Sequence, residues 1–277
     1  MLVKADLHTH STASDGDLSP EKLITLSAHL NLKAIAITDH DTLAGVQNVL
    51  NSIKAPGIRV IAGVEISAEY DPGMLHILGY FPANPHGLED ALKQVQTARR
   101  KRIPKVIKKL NDLGCMLTEA DVLKEAKDAQ IGRPHIAKAL LRKGYVRSFD
   151  EAFDEYLGKG RKAYVPKDKM SWKKAISLIV HFGGLPVLAH PSTLGLSFQV
   201  LEAFIKDLMG AGLAGMEVLY PEHTQEQTSL YAGLASRLGL FVTGGTDFHG
   251  PGRNAFSIGD YGLDEELLTK FINRLTP

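Results

Sequence analysis

Leu2-Val3-Lys4-Ala5-Asp6-Leu7-His8-Thr9-His10 reads as a β-strand whose far end carries two histidines at alternate positions. Successive side chains of an extended segment point to opposite faces, so His8 and His10 share one face and can reach one cation. Asp15 follows in Ser14-Asp15-Gly16-Asp17, where it also reads as an ordinary turn residue. The same layout then recurs. Short hydrophobic runs end in Thr38-Asp39-His40-Asp41, Gly63-Val64-Glu65, Ala189-His190-Pro191 and Thr246-Asp247-Phe248-His249. Metal-type side chains at the C-terminal ends of successive buried strands are the layout of repeated βα units. They predict an α/β, barrel-like fold.

Outward from the first strand the alternation is regular. Ser19-Pro20-Glu21 places a capping serine before a proline at the first helical position, and Leu23, Ile24, Leu26 and Leu30 supply the apolar stripe. Lys33 to Thr38 reads as a strand, Thr42 onward (Val46, Val49, Leu50, Ile53) as a helix, and Ile58 to Ser67 as a strand. Asp71-Pro72-Gly73 reads as a hairpin turn, with His76 on the returning strand Met74 to Tyr80. From residue 84 to 167 the strand signal gives way to helices. Ser148-Phe149-Asp150-Glu151 there has capping-box spacing. Helices at Trp172–Phe182, Phe198–Met209, around Leu230, Leu234 and Leu238, and at Asp264–Leu275 then alternate with strands Leu185–Ala189, Gly215–Tyr220 and Leu240–Thr243. The expected organisation is one barrel from 1–83 and 168–277, interrupted by a helical insertion at 84–167.

A chain of 277 residues that is 44% hydrophobic and 23% charged can bury a full core without disulfides. Its net charge of +1 argues against wholesale attraction to nucleic acid or membrane, so any such attraction must be local. The single cysteine, Cys115, excludes an internal disulfide and suits a reducing compartment. No signal-like segment precedes the first strand and no apolar run approaches membrane-spanning length, which points to a cytoplasmic protein without a membrane partner. Nothing calls for an obligate protein partner.

The candidate ligands are His8, His10, Asp15, His40, Glu65, His76, His190, Asp247 and His249. Imidazole and carboxylate donors without thiolates suit Mn, Zn or Fe in a reactive site rather than a structural zinc cage. Nine ligands exceed the needs of one ion and suit two or three divalent ions with shared carboxylates. Three dications against three carboxylates, with neutral imidazoles, leave a positive pocket that favours a phosphate dianion.

Asp6-Leu7-His8-Thr9-His10-Ser11, Thr38-Asp39-His40-Asp41-Thr42, Gly63-Val64-Glu65-Ile66-Ser67, Ala189-His190-Pro191 and Gly244-Gly245-Thr246-Asp247-Phe248-His249-Gly250 together resemble the motifs of the polymerase and histidinol phosphatase (PHP) family, in the family's order. The resemblance implies a distorted seven-stranded (β/α) barrel with two or three metal ions. It implies that His8, His10, Glu65 and Asp247 bind the first ion, and that Glu65 bridges to a second held by His76 and His190. Asp15, His40 and His249 would hold the third. No ligand is replaced, which argues against a non-catalytic member.

The insertion resembles the branch acting on nucleoside 3',5'-bisphosphates and on the 5' ends of short RNA. That branch has an arginine-bearing helix and a Gly-Arg-x-His turn, matched here by Arg99-Arg100-Lys101-Arg102 and Gly132-Arg133-Pro134-His135. On a continuous helix Arg99, Arg102, Lys105 and Lys109 are expected to share a face able to grip a second phosphate. A solvated basic face is the plain alternative, and Pro104 puts Lys105 in question. Arg133, opening a helix whose N-terminal amides favour anions, supports the clamp. His135 and His223 read either as pocket residues, His223 near the leaving group, or as caps and structural hydrogen-bonders. The implied activity is phosphomonoester hydrolysis by metal-activated hydroxide, with Glu65, Asp247 and His223 at the reacting centre. Arg99, Arg102, Lys105, Arg133 and His135 would bind substrate. It would release the 5'-phosphate of a nucleoside 3',5'-bisphosphate and trim short RNA from the 5' end. The alternatives are a histidinol-phosphate phosphatase, which needs no second clamp, and a non-enzymatic nucleic-acid-binding module.

Overall fold

Strand β1 (Ala5–Thr9) is buried along its whole length, so neither of its faces meets solvent. The computed structural model describes residues 2–50, 57–71, 73–127, 129–166, 170–253 and 255–276. Ile53, Pro72 and the expected boundary at 167–168 lie outside them. Helix α1 (Pro20–His29) starts on the Ser19 side chain, which accepts the Lys22 N–H, and leads to β2 (Ala34–Ile37). Helix α2 (Ala44–Leu50) then connects to β3 (Arg59–Glu69). The three strands are parallel neighbours. Strand β4 (Leu75–Phe81) returns antiparallel to β3, placing His76 opposite Ser67 and Leu78 opposite Glu65.

Between β4 and the two-residue strand β5 (Met170–Ser171) lie four α-helices. They are α3 (Leu88–Asp112), α4 (Glu119–Ala126), α5 (Arg133–Arg142) and the short α6 (Phe149–Ala152), which runs into a π turn at Phe153–Leu157. Then follow α7 (Trp172–His181), β6 (Leu185–Leu188), α8 (Phe198–Gly210), β7 (Gly215–Leu219), α9 (Gln225–Leu238), β8 (Phe241–Gly244) and α10 (Glu265–Leu275). The sheet order is β1-β2-β3-β4-β6-β7-β8, with β5 attached to the end of β3. Only β4 runs against its neighbours in this path. The ends of the sheet meet where Thr9 bridges Phe248 and the His10 N–H donates to the Phe248 carbonyl at 2.9 Å. The seven strands thus form a nearly closed, distorted (β/α) barrel, as expected. β5 was not expected, because two residues carry no periodicity.

Apolar side chains divide into layers. Leu7, Ile61, Leu78, Tyr80 and Phe271 fill one cluster, with the Tyr80 hydroxyl donating to the Leu7 carbonyl at 2.8 Å. Ile35, Ile37, Val64 and Ile66 pack outward against α1, α2 and α7. Helix α3 spans two cores. Leu88, Leu92 and Val95 pack on the barrel, whereas Ile103, Val106 and Leu110 join Val122, Ile136, Leu140 and Leu157 in a separate cluster. Pro104 sits within this helix without ending it. Its missing N–H leaves the Arg100 carbonyl without an intrahelical donor, and both residues are exposed, where water can replace that bond. The capping box expected at Ser148 is half formed. Ser148 Oγ accepts the Glu151 N–H, but the Glu151 carboxylate reaches back to the Arg147 N–H rather than to that of Ser148.

Candidate metal centre and phosphate pocket

All nine expected ligands come together at the C-terminal mouth of the barrel. Glu65 is the hub: its Oε1 lies 2.7 Å from His76 Nδ1 and 3.1 Å from His190 Nε2, and its Oε2 lies 2.8 Å from His40 Nδ1 and 3.3 Å from His10 Nε2. Asp247 Oδ1 lies 2.9 Å from His10 Nε2 and 3.4 Å from His8 Nε2. Asp15 Oδ1 lies 3.4 Å from His249 Nε2, and its Oδ2 lies 3.9 Å from His40 Nε2. Three groupings have donor atoms close enough to share an ion: His8, His10, Glu65 and Asp247; His10, Asp15, His40 and His249; and His40, Glu65 and His76. The first is the set expected for one ion, and the second adds His10 to the expected third set. In the remaining group His40 stands with Glu65 and His76, while His190 lies beside it, with Nε2 on Glu65 and its ring against those of His8 and His76.

The local backbone explains why these side chains converge. Asp41, His190 and Asp247 adopt left-handed φ values of 54°, 25° and 51°, a region that costs a non-glycine residue free energy and clusters at functional sites. Buried acids tie the loops down. Asp39 accepts from the Ser11 N–H and from both the Ser11 and Ser14 hydroxyls, which fixes the loop carrying Asp15. Asp6 accepts from the Thr246 N–H at 3.0 Å and the Thr246 hydroxyl at 2.6 Å, fixing the loop that carries Asp247. Glu217, on β7, lies 3.0 Å from His8 Nδ1 and accepts the His190 N–H at 2.8 Å. Sequence reading missed these roles. Asp6 and Asp39 stand inside the quoted motifs, whereas Glu217 in Gly215-Met216-Glu217-Val218 carries only the signal of an acid in an apolar strand.

The electrostatics suit cations. Burial, with His249 and His40 nearby, lowers His10 to about 3, and burial likewise lowers His76 to about 4, so both rings are neutral donors at pH 7. Burial favours the neutral form of Glu65, but His76, His40 and His8 outweigh it and hold the carboxyl well below its ordinary range. Asp15 is depressed in the same way by His249 and His40 against its burial. Burial opposes the charge of His249, yet Asp15 and Asp247 lift that ring to about 9. His8 Nε2, both His10 nitrogens, His40 Nδ1 and Glu65 Oε2 are buried and make no well-directed hydrogen bond among the described residues, only short contacts within the cluster. An unsatisfied buried polar atom costs about 1–3 kcal/mol. Several converging on one spot, borderline imidazole nitrogens with hard carboxylate oxygens, are the signature of a divalent-metal site.

Beside this cluster opens a cavity of about 1290 Å³ lined on one side by Asp15, His40 and His76 and on the other by Arg99, Arg102, Arg133 and Tyr164. Arg99 is committed: its Nε donates to Asp41 at 2.6 Å and a terminal nitrogen donates to Ser67 Oγ at 2.9 Å. Arg102 is buried, with Nε and one terminal nitrogen lacking a hydrogen-bond acceptor among the described residues. Burial first, then the charge of Arg133, lowers it to about 9. Arg133 donates to the Leu157 carbonyl at 3.0 Å, a group the π turn presents.

Four residues expected at the clamp or the reacting centre stand elsewhere. Lys105 is exposed and does not line the cavity, since at 100° per residue it lies about 120° around the helix from Arg99. Lys109 is turned instead to the Tyr164 carbonyl, at 2.8 Å. His135 is buried as a cap, its Nδ1 accepting the Gly132 N–H at 3.0 Å. His223 sits behind Tyr220, with ring centroids 5.1 Å apart, and its Nδ1–H donates to the Val218 carbonyl at 2.9 Å. It is Tyr220 that reaches the centre, through its hydroxyl on Asp247 Oδ2 at 3.3 Å.

Comparison with known proteins agrees with this geometry. Residues 6–165 match the PHP domain. A 5'-3' exoribonuclease of Haemophilus influenzae is 35% identical over 91% of this chain and 92% of its own length. A 3',5'-nucleoside bisphosphate phosphatase of Chromobacterium violaceum is 31% identical over 93% of this chain and 91% of its own. Among solved structures, a protein from Bifidobacterium adolescentis assigned as a metal-dependent phosphoesterase superposes with a TM-score of 0.88. It is 29% identical, over 99% of this chain and 96% of that one. No helix among the described residues is long and apolar enough to cross a membrane.

Proposed function

The chain belongs to the PHP domain family, and from that premise we propose that it is a metal-dependent phosphoesterase that releases the 5'-phosphate of nucleoside 3',5'-bisphosphates and trims short RNA from the 5' end. Two or three divalent ions, Mn, Zn or Fe, occupy the cluster. His8, His10, Glu65 and Asp247 hold the first, Glu65 with His76 and His190 the second, and Asp15, His40 and His249 the third. When bound, these ions lower the pKa of water and offset the charge of the phosphate.

The protein's own groups do the rest. Glu65 presents both oxygens to imidazoles from different strands and so keeps neighbouring ion sites in register. Tyr220 holds Asp247 by its hydroxyl. The segment 84–167 forms the wall opposite the ligands and grips the second phosphate with Arg102 and Arg133, while Arg99 braces the Asp41 loop. His223 is held behind Tyr220 by its bond to the Val218 carbonyl, which favours water as the proton source for the departing oxygen.

The observation that carries this reading is the buried guanidinium of Arg102 beside the half-buried one of Arg133, both lining the cavity that Asp15, His40 and His76 also line, with no carboxylate partner for either among the described residues. Two like charges kept together without counter-ions require an anion to balance them. The test is phosphate release by the metal-loaded protein from adenosine 3',5'-bisphosphate, AMP, histidinol phosphate and short 5'-phosphorylated RNA. Preference for the bisphosphate and the RNA is expected. Equal or better turnover of histidinol phosphate would overturn the clamp, and turnover of none would overturn the enzyme.

A further inference from the structure

Glu217 is completely buried in β7 and makes two contacts that belong to different parts of the candidate centre. Its Oε1 lies 3.0 Å from Nδ1 of His8, on β1. Its Oε2 accepts the backbone N–H of His190, the residue just beyond β6 whose φ of 25° is left-handed. His8 turns its other nitrogen, Nε2, toward Glu65 and Asp247, at 3.5 and 3.4 Å. His190 turns its Nε2 to the same Oε1 of Glu65, at 3.1 Å, with its ring stacked beside that of His8.

We propose that Glu217 is the positioning residue that couples two of the ion sites, by holding His8 in the tautomer protonated at Nδ1 and pinning the strained backbone of His190 with the same carboxylate. The inference rests on the metal reading above. Both partners of Glu217 must be donors: a backbone N–H always is, and Nδ1 facing a carboxylate oxygen is favoured as N–H. With the proton on Nδ1, the lone pair of His8 lies on Nε2, where a cation at Glu65 and Asp247 needs it. Buried acids behind a ligating histidine fix ring orientation and raise its basicity, and their loss costs roughly ten- to a hundredfold in metal affinity.

The amide of glutamine cannot replace this arrangement. It has one acceptor and one donor end. If its oxygen serves the His190 N–H, its NH₂ faces His8 Nδ1 and drives the proton to Nε2, capping the lone pair. If it is turned round, its NH₂ meets the His190 N–H and the left-handed turn loses its acceptor. Either way one ion site is damaged although size and shape are preserved.

The experiment is Mn²⁺ binding to the metal-stripped full chain by equilibrium dialysis, comparing wild type with Glu217→Gln. The nitrogen chemical shifts of ¹⁵N-labelled His8 are read in the Zn²⁺-loaded protein, where the ring is neutral and only one nitrogen carries a proton. The inference predicts roughly ten- to a hundredfold weaker binding of at least one Mn²⁺ in Glu217→Gln, with circular dichroism unchanged. It also predicts a wild-type His8 protonated at Nδ1. Equal Mn²⁺ binding by the two proteins would overturn it, as would a wild-type His8 protonated at Nε2. The NMR measurement needs no variant and so decides the matter even if Glu217→Gln does not fold. A wild-type chain that binds no Mn²⁺, Zn²⁺ or Fe²⁺ would instead overturn the metal reading itself.

Discussion

Arg102 and Arg133 share one aromatic ring: their guanidinium carbons lie 5.1 and 5.8 Å from the centroid of Tyr164. The residues come from different helices, α3 and α5, and the ring stands on the loop that leads back to the barrel. Cation–π attraction offsets part of the repulsion between the two charges, and the proposed substrate phosphate would complete the balance.

Arg133→Ala should therefore weaken transition-state binding of a nucleoside 3',5'-bisphosphate by about 1.5–3 kcal/mol, the usual worth of a charge-assisted hydrogen bond. That is roughly ten- to a hundredfold in kcat/KM. A 5'-monophosphate should lose much less, and metal content should not change. Arg102→Ala should follow the same pattern, while Lys105→Ala, on an exposed part of the helix, should leave both substrates unaffected. Equal losses on both substrates would refute a distal clamp.

Glu65→Gln should nearly abolish turnover and lower the metal content, because a neutral amide with one acceptor cannot serve the imidazoles that now meet both carboxylate oxygens. Metal analysis alongside steady-state rates checks this. Full occupancy with near-normal rates would remove Glu65 from the shared position.

His135 gives a pH signature separate from the ligands. Burial above all lowers it from 6.5 to about 4, so the folded protein favours the neutral ring that accepts the Gly132 N–H. The unfolded chain then binds more protons than the folded one between these values. The contribution is fully present above about pH 6.5 and is lost as pH falls through about 4. In urea denaturation, the stability gap between wild type and His135→Gln should narrow from pH 7 to pH 4. A gap independent of pH would mean that the ring's protonation is not linked to folding.

Gly245→Ala tests the closure of the barrel. A methyl group there would lie 2.4 Å from the His8 backbone nitrogen and 2.6 Å from its Cβ. These are backbone-proximal atoms that cannot swing aside, so β1 must move. Overpacking of this kind costs about 1–3 kcal/mol. A lowered Tm together with weakened metal binding is expected, since His8 is carried on the displaced strand. An unchanged Tm would show that the β1–β8 junction is looser than described.

Much of this protein is legible from local pattern. His8 and His10 declare themselves because strand periodicity alone puts them on one face, and His190 and Asp247 because each follows a short apolar run, whereas Glu65 stands as an acid within the apolar strand β3 rather than at its end. Ser19 and Asp264 mark helix starts through contacts no more than three residues away. Such features are determined by sequence neighbours, so the sequence by itself determined the strand–helix alternation that builds the barrel and the His, Asp and Glu side chains that converge at its mouth. Tertiary structure decided what depends on partners far along the chain. Glu217 acquires meaning only when β7 brings it to His8, 209 positions away, and Asp41 only when α3 lays Arg99 across it. The phase of a helix against its neighbours decided that Arg102 enters the cavity and Lys105 does not. The same packing put His135 and His223 into structural hydrogen bonds rather than into the pocket. Charge and spacing name which side chains are able to act, but only burial and the three-dimensional supply of donors and acceptors select those that do.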